Sequence, residues 1–116
     1  MAERRVVVFL SHADDTALRL AGSCALAAAA MGDKVDVYLF GAAVRAVVSA
    51  HGDLPDEAGA RLHEARAAGR CRLVACSASV VEEKVPLAEA EKALDAVVGW
   101  PTILEWSRGV VERFFF

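Results

Sequence analysis

Apolar and polar positions change period several times along the 116 residues. Val6-Val7-Val8-Phe9-Leu10 is apolar at every position. An unbroken, β-branched run of this length predicts a strand buried on both faces, as in a parallel sheet. From 16 to 31 the period becomes helical: Leu18, Gly22, Ala25 and Ala29 form one stripe, with Ala21, Cys24 and Ala28 beside it. Asp14 or Asp15 is suited to cap this helix, and Gly32 to end it in the left-handed region. Residues 34–40 alternate early and are wholly apolar late, a second strand broken by Gly41. The pattern then predicts a short helix over 42–50, a turn at 52–55, and a charged helix over 55–68 that ends at Gly69. A third strand is expected at 70–76, a loop with at most a helical turn at 77–86, a helix at 87–94 and a short strand at 96–98. Gly99-Trp100-Pro101 punctuates the chain. Residues 102–108 suit strand or helix by composition, and a proline at the first helical position favours helix. A fifth strand fills 110–116. Strands alternating with helices over short joins predict one α/β domain, 1–116, with a parallel sheet covered on both faces.

Composition narrows the partners. Hydrophobic residues make up 56% of the chain, too many for a disordered one. A net charge of −3 supplies no basic footprint for nucleic acid. Apolar runs fall well short of the roughly 18 residues of a membrane span. The five apolar residues after the charged start are too few for a signal-peptide core. Three cysteines, an odd number with no CxxC, do not make a disulfide framework, so a reducing cytoplasm is the expected setting.

Ligands of open parallel sheets gather at the carboxyl ends of the strands. The first strand delivers Ser11, His12 and Asp14 there, the second Gly41, the third Cys76, Ser77 and Ser79, the fourth Gly99 and Trp100. Cys76 is the strong nucleophile of this set. At a strand-to-helix junction, free backbone N–H groups can stabilise a thiolate; a buried small hydrophobe is the plainer fate of a free cysteine. Cys24 belongs to the apolar stripe of the first helix. Cys71 and Cys76, five residues apart on one strand, face opposite ways with Cα atoms roughly 16 Å apart, which excludes a disulfide between them. His51 and His63 have no metal-ligand spacing, and the acidic residues Glu82, Glu83, Glu89, Glu91 and Asp95 read as a solvated surface. There is no GxGxxG, Walker A or GxSxG motif. Neither a cofactor nor a metal is expected.

Ser11-His12-Ala13-Asp14-Asp15 resembles the first zinc motif of the de-N-acetylases that act on N-acetylglucosamine derivatives. Thr16 stands where that family has Glu and Ala13 replaces its Pro, and no His-x-Asp-His follows. Without a third ligand a catalytic zinc site is incomplete. The segment therefore reads as a helix cap with a pocket-facing histidine.

A second resemblance covers nearly the whole chain. Residues 25–32, the stretch Val35-Asp-Val-Tyr-Leu-Phe-Gly41 with Val44-Arg45, Gly69-Arg-Cys-Arg-Leu-Val-Ala-Cys76, and Gly99-Trp-Pro-Thr-Ile-Leu-Glu-Trp resemble the DsrE/DsrF-like family of small sulfur-relay proteins. The resemblance implies a three-layer α/β/α sandwich, a five-stranded parallel sheet in the order 4-3-2-1-5, and trimers or hexamers. In members of sulfur oxidation and tRNA thiolation pathways it also implies a persulfide on the third strand's cysteine, here Cys76. Ser77-Ala-Ser-Val-Val does not match the basic stretch of the tRNA-thiolation members. The expected protein is a cytoplasmic sulfur carrier. Cys76 would serve as its exposed nucleophile, and Ser11, His12, Gly41 and Ser77 would bind substrate. Its partners would be sulfur donor and acceptor proteins or small thiols. The alternatives are a non-catalytic oligomeric module holding a small ligand at the same strand ends and, remotely, a metal-dependent hydrolase using His12 and Asp15. The aromatic-rich segment from Trp100 to Phe116 is expected at or near a subunit interface.

Overall fold

The computed structural model describes residues 4–50 and 58–116. The turn expected at 52–55, the start of the third helix and His51 lie outside the described residues. In chain order the elements are β1 (Arg5–Leu10), α1 (Asp15–Ala30), β2 (Lys34–Leu39), α2 (Ala42–Ser49), α3 (Ala60–Ala67), β3 (Cys71–Cys76), α4 (Ser77–Glu82), α5 (Leu87–Ala93), β4 (Ala96–Val98), α6 (Trp100–Trp106) and β5 (Glu112–Phe115). All four strand pairings are parallel, in the order β4-β3-β2-β1-β5, with helices on both sides.

The two faces are covered unequally. Val6, Val8 and Leu10 of β1, Val35, Val37 and Leu39 of β2, and Leu73 and Ala75 of β3 join the larger core cluster, to which α1 through α5 all contribute buried residues. The opposite face carries Val7, Tyr38, Val74 and Cys76, and the one buried helical residue it receives is Ile103 of α6. The unbroken apolar run of β1, and the largely apolar β2 and β3, are thus explained by burial on both sides. The alanine stripe of α1 buries Ala17, Leu18, Ala21, Gly22, Ala25 and Ala28. Small residues let α3 come close: a Cβ on Gly22 would lie 2.6 Å from Arg61 Cβ.

One expected element is corrected by the structure. Residues 77–82 are helical rather than loop. Serines there read as turn formers, but Val80 packs into the larger cluster and Ser79 is buried, so tertiary contact holds the turn in helix. Asp95 is exposed, as expected, and is also engaged: its carboxylate accepts the Leu73 N–H at 2.8 Å and pairs with Arg66 Nε at 3.0 Å.

Candidate functional site

The carboxyl ends of the strands are tied together by short-range polar contacts. Gly41 follows β2 with φ +55, a left-handed value that a side chain would strain. This turn aims its N–H at Ser79 Oγ, 2.9 Å away, and so couples the end of β2 to α4. Ser11 follows β1; its N–H donates to the Phe116 carbonyl oxygen at 2.9 Å, which ties the end of β1 to the segment after β5. Asp14 caps α1: its carboxylate accepts the Ala17 N–H at 3.1 Å, so the first acidic position of the His12 segment is engaged in holding a helix. His12 is exposed, with Nδ1 3.4 Å from Ser11 Oγ, whereas Cys76 is buried.

Cys76 closes β3 opposite Val98 of β4 and immediately precedes α4. Its side chain lies on the thinly covered face and is 3% exposed, within the cluster of Val7, Tyr38, Val74 and Ile103. The sequence reading needed an exposed thiolate; the structure corrects this. Because β3 is an interior strand and α6 lies against that face, the sulfur is under side chains. Ser77 is half-buried, and its Oγ lies 3.7 Å from where a Gly99 Cβ would sit, beside the start of α6. Ser77 and Cys76 are therefore neighbours at the junction of β3 and β4, whereas Ser11 and Gly41 mark the ends of β1 and β2.

The other thiols differ in kind. Cys71 faces the larger cluster, opposite to Cys76 as the five-residue spacing requires. Burial, then the Asp95 and Asp36 carboxylates, push its thiol up to about 12. Cys24 is half-buried in α1, and burial followed by Glu112 raises it too. All three cysteines are free.

Sequence reasoning missed two features of the thin face. One is a row of rings across β5, β1, β2 and α6. Phe115 stacks on Phe9 with centroids 5.0 Å apart, Phe9 on Phe40 at 6.1 Å, and Phe40 on Trp100 at 5.0 Å. The period-2 parity of strands contained this signal: Phe9 and Phe115 are register partners, and Phe40 shares the face of Tyr38. The other feature is an ionic cluster at the far end of the same face. Asp36, buried, accepts two bonds of 3.0 Å from Arg72 and lies 3.8 Å from Arg5. Arg72 in turn sits 4.0 Å over the Trp106 ring. Asp36 and Arg72 are direct register partners on β2 and β3, which brings the bidentate pair together. Among the described residues no cluster of His, Cys, Asp and Glu has the geometry of a metal site.

A five-stranded parallel sheet in the order 4-3-2-1-5, with a cysteine ending its third strand, defines a small α/β protein with its candidate site at the carboxyl edge. The chain belongs to the DsrE/DsrF-like family, whose model matches residues 4–107. Two solved structures share the fold. The ychN protein from E. coli is 16% identical with a TM-score of 0.66, over 97% of this chain and 99% of its own. A conserved protein of unknown function, BT1422 from Bacteroides thetaiotaomicron, is 19% identical with a TM-score of 0.70, over 97% of this chain and 94% of its own. No curated protein sequence matches significantly.

Proposed function

We propose that the protein relays sulfane sulfur on Cys76. The family is associated with sulfur relay. The observation that supports a carrier role for this residue is its position: of the three cysteines, Cys76 alone ends a strand at the carboxyl edge of the sheet, where ligands of such sheets gather. In the loading step the Cys76 thiolate attacks the outer sulfur of a donor persulfide. The donor's S–S bond breaks, the donor leaves as a thiolate, and Cys76 holds the persulfide. In the unloading step an acceptor thiolate attacks that outer sulfur and Cys76 leaves as the thiolate. Each step exchanges one S–S bond for another, with no net oxidation. Donor and acceptor are proteins or small thiols of a reducing cytoplasm. Because Cys76 is buried, transfer requires α6 to yield, and a seven-residue helix contributing one fully buried side chain is a weak lid. No helix among the described residues is long and apolar enough to cross a membrane.

Intact mass after incubation with a low-molecular-weight persulfide tests the reading. The wild-type chain should gain the mass of one sulfur atom and Cys76→Ser should gain none, while Cys24→Ser and Cys71→Ser load normally. Normal loading of Cys76→Ser would overturn it. The burial of Cys76 favours the second reading, a module that binds a small ligand at the strand ends without covalent chemistry.

A further inference from the structure

The row of rings borders a cleft whose lining does not include Cys76. It encloses about 360 Å³ at the carboxyl edge of the thin face, within the range of roughly 300–1,000 Å³ common for small-molecule sites. Phe9, Phe40, Trp100 and Phe115 supply its walls, and Ser11 and Arg113 its polar side chains. Three properties restrict the occupant.

The first is shape. Successive rings in the row are inclined by only 10° to 23°, so they present nearly parallel faces. Trp100 is 50% and Phe115 73% exposed, which leaves ring surface at both ends of the row without a partner in the described chain. Near-parallel rings at these separations favour another flat ring in offset stacking. The second is charge. Among the described residues Arg113 is the one charged side chain lining the cleft; Phe116 also lines it, and its main-chain oxygen is taken up by the Ser11 N–H. Its Nη2 donates to the Ser107 carbonyl oxygen at 3.2 Å, which orients the guanidinium. A guanidinium has five N–H donors, so others remain for a ligand. The third is placement: β5 is held in register against β1, with Arg113 opposite Val7 and Phe115 opposite Phe9. Arg113, Phe115 and Phe9 therefore stand on one face of adjacent strands, with Phe40 just after β2 and Trp100 at the start of α6.

We propose that this cleft binds a small planar aromatic anion, with the ring layered on the Phe/Trp row and the carboxylate or equivalent group on Arg113. The site is separate from covalent chemistry at Cys76 and stands whether or not Cys76 carries sulfur.

The test is titration with 2-naphthoate and with the neutral 2-naphthylmethanol, followed by calorimetry and by quenching of tryptophan emission. The wild-type protein should bind 2-naphthoate saturably and roughly tenfold more tightly than the alcohol, the value of one charge-assisted hydrogen bond. Arg113→Gln should erase that difference while leaving alcohol binding in place. Arg113→Lys should restore part of it. Trp100→Leu should weaken both probes, with unchanged far-ultraviolet circular dichroism showing that the fold persists. Absence of saturable binding, or equal affinity for the two probes in the wild type, would overturn the proposal. So would probe binding that only dissociates an oligomer, which would assign the rings to a second copy of the chain. Sulfur loading is measured on the same preparation without probe, so a failed titration with intact loading refutes this inference alone, and failed loading with intact titration refutes only the relay.

Discussion

Three cysteines of one chain differ in what their surroundings let them do. Cys71, buried among apolar side chains and near two carboxylates, is held as a neutral thiol with its titration moved from 9.0 to about 12. The sign of the linked stability follows: folding favours the protonated form, so the contribution is full below about pH 9 and is lost as pH rises toward about 12. Denaturation midpoints should therefore fall over that window, and less steeply in Cys71→Ala. Tyr38, raised by burial and by Asp36, and Cys24, raised by burial and by Glu112, contribute in the same direction. An identical fall in wild type and Cys71→Ala would refute the assignment. At neutral pH Cys71 should also resist alkylation, read by peptide mass spectrometry. The position of Cys76 at the end of β3 was legible in the sequence, because counting residues to a strand's end needs only the period. Its burial was not legible, since that depends on where Ile103 of the later α6 lands. The partners of exposed Asp95 were hidden for the same reason: Arg66 and Leu73 are 29 and 22 residues away.

Strands and helices were readable where one face or both are buried by a regular pattern. Asp14 does cap α1, and 102–108 falls within one or two residues of α6, with Pro101 in its first turn. Residues 77–82 defeated the pattern because a six-residue helix has too little length for a period to show. Two substitutions probe how the elements bear on the site. Gly22→Ala drives a methyl group into Arg61 Cβ where α1 meets α3, and overpacking of this kind costs about 1–3 kcal/mol, measurable by urea denaturation. A cost near zero would mean that the helices shift freely. Ile103→Ala removes the buried anchor of α6 and should cost about 2–4 kcal/mol. It should also speed alkylation of Cys76 by iodoacetamide at a pH where Cys71 stays inert. Unchanged alkylation of Cys76 would show that α6 does not control access to it.

The whole molecule has one well-covered face and one thin face, an asymmetry that a count of alternating elements does not contain. Phe114 and Phe116 pack against the larger cluster, so two of the three terminal rings belong to the subunit's own core, and Phe115 lies on the other face. Outside the cleft, Leu104 and Val111 remain more than half exposed near β5, and apolar area of this kind on a sheet edge favours self-association. Light scattering after size exclusion at micromolar concentration should give a homo-oligomer, a trimer or hexamer; a 12.3 kDa species would contradict it. The central claim is that sulfur both enters and leaves through Cys76. The most direct measurement loads the protein with isotopically labelled persulfide sulfur, removes the donor, adds a small thiol acceptor, and follows the label on the Cys76 peptide and on the acceptor. Label should appear on Cys76 and pass to the acceptor in equal amount. Label that never reaches Cys76, or that stays there when the acceptor is present, would contradict it.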